Sequence, residues 1–209
     1  VTISSLGTTG HVTIDNGTTA LGVQGTANGN LVLISGEVIT DSAALTVSGT
    51  TTVTTDVADK TITLGTLAST GNVSLNSSGT TGNAVVNNTT TALGLAASSI
   101  GGTLTAETDN SITVNGTVTS KGVTSLSASD DVIFVAAGAL ASTNGNITVT
   151  ADDDNTPAGT GGAITMANGA TINSGTGTIT LSADEDIALG GLTTTNATGA
   201  AVSITSDNG

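Results

Sequence analysis

The chain has 209 residues, with sixteen acidic side chains against two lysines, no arginine, no cysteine, no tryptophan or tyrosine and one phenylalanine, for a net charge of −14. That balance argues against nucleic acid and anionic membrane surfaces, which are held by basic patches. It also rules out a core built on aromatic side chains, and no apolar run reaches the roughly 18 residues of a membrane span.

Burial must therefore rest on Val, Ile, Leu and Ala. The many Gly, Thr, Ser and Asn residues would suit a disordered chain, but disordered chains are poor in β-branched apolar residues, and here these recur in short alternating runs. The first is Val1-Thr2-Ile3, and Val1 to Asn16 aligns without a gap with Ile62 to Ser77, matching Thr2/Thr63, Leu6/Leu67, Thr9/Thr70, Gly10/Gly71 and Val12/Val73. Thr18-Thr19-Ala20-Leu21-Gly22 returns intact as Thr90-Thr91-Ala92-Leu93-Gly94. Gly71-Asn72-Val73-Ser74-Leu75 returns as Gly145-Asn146-Ile147-Thr148-Val149. Such echoes predict duplicated blocks of about three coils, with the coil register open over 38–59 and 83–110.

From Ile112 onward the pattern is clearest. Segments open at Ile112, Ile133, Ile164 and Ile187, which are 21, 31 and 23 residues apart. Each opening is followed by a glycine, a further apolar residue and a second alternating run, such as Leu126-Ser127-Ala128 or Leu181-Ser182-Ala183. The long interval contains residues 152–162, read as a loop inserted between strands. Without it the period returns to about 21, the range of solenoid coils.

In Ile-Thr-Val the outer two residues face one side and the middle one the other. Stacked coils would align like positions at about 4.8 Å, so Ile112, Ile133, Ile164 and Ile187 are predicted to form one inward ladder. Thr113, Thr165 and their counterparts would stack outside, where β-branched residues are comfortable. Gly and Asn would mark the corners. The expected fold is an all-β parallel β-helix (a β-solenoid) of about nine coils of roughly 21–23 residues, one continuous segment over 1–209. An antiparallel sandwich is the rival, although it does not require equivalent corners every 21 or so positions. Val1-Thr2-Ile3 and Ala201-Val202-Ser203-Ile204 both read as core strands without polar caps, so the coils are expected to continue in a longer polypeptide or in the next copy of a head-to-tail fibre.

Candidate chemistry is sparse. His11 is the only imidazole and sits beside Gly10, where it reads as a solvated turn residue rather than part of a triad or metal site. Asp130, Asp131, Asp152, Asp153, Asp154, Asp184 and Asp186 fall at equivalent corners and are the candidate Ca²⁺ ligands. Neither the EF-hand spacing nor the Gly-Gly-x-Gly-x-Asp nonapeptide is present, so the competing reading is solvated turns that discourage lateral sheet pairing. No catalytic residue and no cofactor are expected.

The Gly-Asn-(Val/Ile)-(Thr/Ser)-(Leu/Val) runs at Gly71 to Leu75 and Gly145 to Val149, with Thr178-Ile179-Thr180-Leu181-Ser182-Ala183, resemble the repeat regions of large secreted bacterial adhesins of the filamentous-haemagglutinin type. The resemblance implies a right-handed parallel β-helix, export to the cell surface, and work as a stalk or adhesive fibre. Two functions follow as expectations. One is a rigid extracellular stalk or filament. The other is an adhesin segment that binds a carbohydrate or partner protein through its outer faces or the 152–162 loop.

Overall fold

The computed structural model describes residues 1–5, 7, 9–152 and 162–207. The chain opens with β1 (Thr2–Ser4), then β2 (Val12–Asp15), β3 (Leu21–Ala27), β4 (Leu31–Ser35), β5 (Ile39–Val47), β6 (Thr51–Thr55), β7 (Ile62–Leu64), β8 (Leu67–Ser69) and β9 (Val73–Asn76). A second run holds β10 (Ala84–Asn87), β11 (Leu93–Leu95), β12 (Ser98–Ile100), β13 (Leu104–Thr108), β14 (Ile112–Val114), β15 (Thr117–Ser120), β16 (Thr124–Ala128), β17 (Val132–Phe134), β18 (Ala139–Ser142) and β19 (Ile147–Ala151). Last come β20 (Ile164–Met166), β21 (Thr171–Asn173), β22 (Ile179–Ala183), β23 (Ile187–Ala188), β24 (Gly191–Thr193) and β25 (Val202–Ser206).

These strands stack in parallel as a β-solenoid of about nine turns, which decides against the antiparallel sandwich. One sheet is the stack β1-β3-β5-β7-β10-β13-β16-β19-β22-β25, with β8 also resting on β5. The opposite sheet begins β2-β4-β6-β9 and then divides, with β11 and β12 both resting on β9. From there β11-β14-β17-β20-β23 and β12-β15-β18-β21-β24 run side by side.

Alternation sets which side chains fill the space between the sheets. Ile112 and Val114 are fully buried while Thr113 is half-exposed, and the same pattern holds for Ile147, Val149 and Ala151 around Thr148 and Thr150. Each buried aliphatic contributes roughly 1.5–3 kcal/mol, so a core without large aromatics can still hold when repeated at every level. Phe134, fully buried, is stacked between Val114 and Met166.

The predicted ladder needs one correction. Ile112 pairs with Val132, not Ile133, and the inward file is Leu93, Ile112, Val132, Ile164 and Ile187. Ile133 pairs with Thr113 and lies on the outer face. Val132-Ile133-Phe134-Val135 is an unbroken apolar run, so period-2 alternation cannot fix its register. Phe134 decides it, because the other register would turn the largest apolar side chain out to water.

The duplicated unit is three and a half turns, not three. His11 to Gly22 corresponds residue for residue to Asn83 to Gly94, and the eight strands β2 to β9 correspond to the ten strands β10 to β19, with β3 matched by β11 and β12 together and β5 by β14 and β15 together. Between β2 and β10 the chain crosses the solenoid seven times, an odd number. The second unit therefore starts on the sheet opposite to the first: β2 belongs with β4, whereas β10 rests on β7. The two units are related by a half-turn about the axis and a rise of about 17 Å, three and a half steps of about 4.8 Å.

This junction leaves β8 with no strand above it, and a side chain fills the gap. Asn88 is fully buried. Its Oδ1 accepts from the Ser69 N–H at 2.8 Å and its Nδ2 donates to the Ser69 carbonyl at 3.0 Å, so the amide stands where the next peptide group would be. Nδ2 also donates to the carbonyls of Thr91 and Ala92. Buried backbone groups need such partners, and an Asn amide supplies both a donor and an acceptor.

Candidate functional site

The acidic residues act first as acceptors for turn N–H groups. Asp59 Oδ1 accepts from the N–H groups of Thr80 and Thr81 at 2.6 and 2.8 Å. Seventy-two positions later, Asp131 Oδ1 accepts from Gly162 and Ala163, both at 3.0 Å. The two carboxylates hold the segments that leave the first and second units. Asp41 holds the β7–β8 bend in the same way, through the N–H groups of Gly65 and Thr66. Backbone donation is what holds the Asp59 carboxyl below its ordinary value, from Thr81 first and then Thr80, with a further contribution from the charge of Lys121.

The other candidate Ca²⁺ ligands sit along the same corner. Asp130 accepts from the Ser111 hydroxyl at 2.8 Å. Asp152 and Asp184 flank Gly162, where an added Cβ would lie 2.9 Å from the Asp152 Cβ and 3.3 Å from that of Asp184. Asp186 is exposed, and Asp153 and Asp154, with most of the 152–162 loop, lie outside the described residues. Among the described residues no group of three or more acidic, His or Cys side chains is placed to hold a metal ion.

His11 belongs to a corner file whose role the sequence did not reveal. Its Nδ1 accepts from the Asn30 N–H at 2.9 Å, and Asn30 Oδ1 accepts from the Thr50 N–H at 3.0 Å. Asn83 and Asn146 do the same for Thr103 and Thr178 one level on. The Gly-Asn pairs that marked corners in the sequence are thus links between successive coils.

The two lysines differ. Lys60 Nζ reaches both Glu37 oxygens at 2.8 Å, a half-exposed pair worth at most about 1 kcal/mol. Lys121 donates to the Gly79 carbonyl at 2.7 Å and forms no ion pair among the described residues. Gly79 belongs to the segment that crosses from β9 to β10, and this segment packs tightly on the next level. An added Cβ at Gly101 would meet the Ser78 carbonyl carbon at 2.4 Å. Beside it runs a groove of about 230 Å³ lined by Ser78, Ser99, Gly101, Thr119, Lys121 and Thr143. No motif pointed to it; the one available signal was a second lysine without a carboxylate one coil away.

No curated protein and no solved structure matches the chain. A family model does match, over residues 9–76 and again over 81–140, together more than half of the sequence. The two matches start 72 residues apart, the same offset that separates His11 from Asn83, and they break at the crossing from β9 to β10. The chain belongs to the family of repeats of unknown function designated DUF5649.

Proposed function

We propose that this protein is an extracellular structural element, a rigid stalk or surface filament of the kind its resemblance to secreted bacterial adhesins suggests. The observation that carries the reading is the uninterrupted stack of ten strands in one sheet, nine steps of about 4.8 Å or about 43 Å in all. Repetition here supplies length, and Asp59, Asp131, Asn30, Asn83 and Asn146 are engaged in holding one coil to the next. A single histidine and the lack of cysteine and arginine support a non-enzymatic role. End-to-end continuation, within a longer polypeptide or between copies, completes the proposal.

Electron microscopy of the native material tests it. Continuous fibres with a layer line near 4.8 Å are the expected result. Discrete, unassociated particles on the cell surface or in the medium would sink the filament reading and leave the adhesin-segment reading, in which an outer face binds a carbohydrate or partner protein.

A further inference from the structure

We infer that the groove at the crossing from β9 to β10 is a binding site for a single sugar residue carrying one carboxylate, a uronate. This goes beyond a structural role and does not depend on it. The groove holds Lys121, the one lysine that forms no ion pair among the described residues, in a chain of net charge −14. One Nζ hydrogen is spent on the Gly79 carbonyl, which fixes the ammonium at the groove wall and leaves two donors for a ligand. Around it stand the hydroxyls of Ser78, Ser99 and Thr143, all exposed and without hydrogen-bond partners among the described residues. The buried hydroxyls beneath are already committed, Ser77 to the Gly82 carbonyl and Ser120 to the Gly122 carbonyl.

One ammonium with three free hydroxyls matches one carboxylate with several ring hydroxyls. The volume of about 230 Å³ is below that of sites for drug-sized ligands, which start near 300 Å³, and suits one sugar ring. The acidic surface of the rest of the chain repels a polyanion, so the ligand is a monosaccharide or a lone acidic residue on a neutral glycan. No aromatic platform is available, so affinity should be weak, with a dissociation constant on the order of millimolar.

The test is an amide-resolved NMR titration of the whole chain with sodium galacturonate, beside galactose and sodium acetate. Saturable shifts confined to Ser78, Gly101, Thr119, Lys121 and Thr143 are expected with galacturonate alone. Lys121→Gln keeps a donor for the Gly79 carbonyl while removing the charge, and should weaken binding about tenfold. Thr143→Val, at an exposed position, should weaken it about threefold without touching that contact. Equal response to galactose would show that the charge is not read, and equal response to acetate that the hydroxyls are not; either overturns the proposal. So does the absence of groove shifts at the highest sugar concentration, or binding unchanged in both variants.

Discussion

The same turn is used at the start of both units, and it carries different loads. Asn16 and Asn88 each donate Nδ2 to the carbonyls three and four residues on, and each precedes a left-handed residue, Gly17 at φ 57° or Thr89 at φ 47°. Asp15 and Asn87 likewise accept from the N–H groups of Gly17 and Thr89. Asn16 is half-exposed and its amide meets only its own turn. Asn88 is fully buried and also completes the hydrogen bonding of β8 below it. A local motif is therefore not a fixed quantity of stability; its worth depends on what the previous coil leaves unpaired.

That contrast can be broken by substitution. The largest effect is expected for Phe134→Ala, about 3–5 kcal/mol by denaturant unfolding, because it empties a fully buried position stacked on both sides. Its counterpart in the first unit is Leu64, so Phe134→Leu should cost far less, with the two variants separating cavity size from register. Asn88→Ala strands the buried N–H and carbonyl of Ser69 and should cost about 3 kcal/mol, with faster hydrogen exchange at the Ser69 amide. Asn16→Ala should cost no more than about 1 kcal/mol. Equal losses at the two positions would refute the idea that Asn88 substitutes for a strand.

Smaller effects sharpen the comparison. Ile133→Thr should change stability by less than about 0.5 kcal/mol, as an outward strand position allows, whereas Val132→Thr, which buries a hydroxyl in the ladder, should cost about 1–3 kcal/mol. The pH dependence of Asp59 is the subtlest. Its folded-state pKa lies below the ordinary 3.8, so the clamp on Thr80 and Thr81 is complete above that value and is lost as pH falls through the folded one. Exchange at those two amides should rise on acidification below about pH 3.8, and Asp59→Asn should remove that rise.

Much of the solenoid was legible because each coil repeats a simple rule: alternating aliphatics inside, hydroxyls outside, glycine or asparagine at corners. Ile112, Ile164 and Ile187 fell on the predicted file for that reason. Ile133 did not, because its run offers no polar residue to set the phase. The half-turn was hidden for a different reason. The echo from Val1 to Ile62 spans whole turns and keeps its side, since β1 and β7 share a sheet, as do β2 and β9. The echo from Thr18 to Thr90 spans a half-turn more and changes side. Both look alike as strings, and only strand pairing tells them apart. The groove was invisible because it is made by residues from four levels brought together at the crossing from β9 to β10.

An odd number of crossings per unit also sets the valency of the rod. A patch that recurs once per unit is displayed alternately on opposite flanks, about 17 Å further along each time. Had the unit closed on a whole turn, equivalent patches would line up on one flank and a repetitive partner could be bound side-on. With the half-turn, two neighbouring units face away from each other, a geometry for bridging two surfaces and for spacing them by the width of the solenoid.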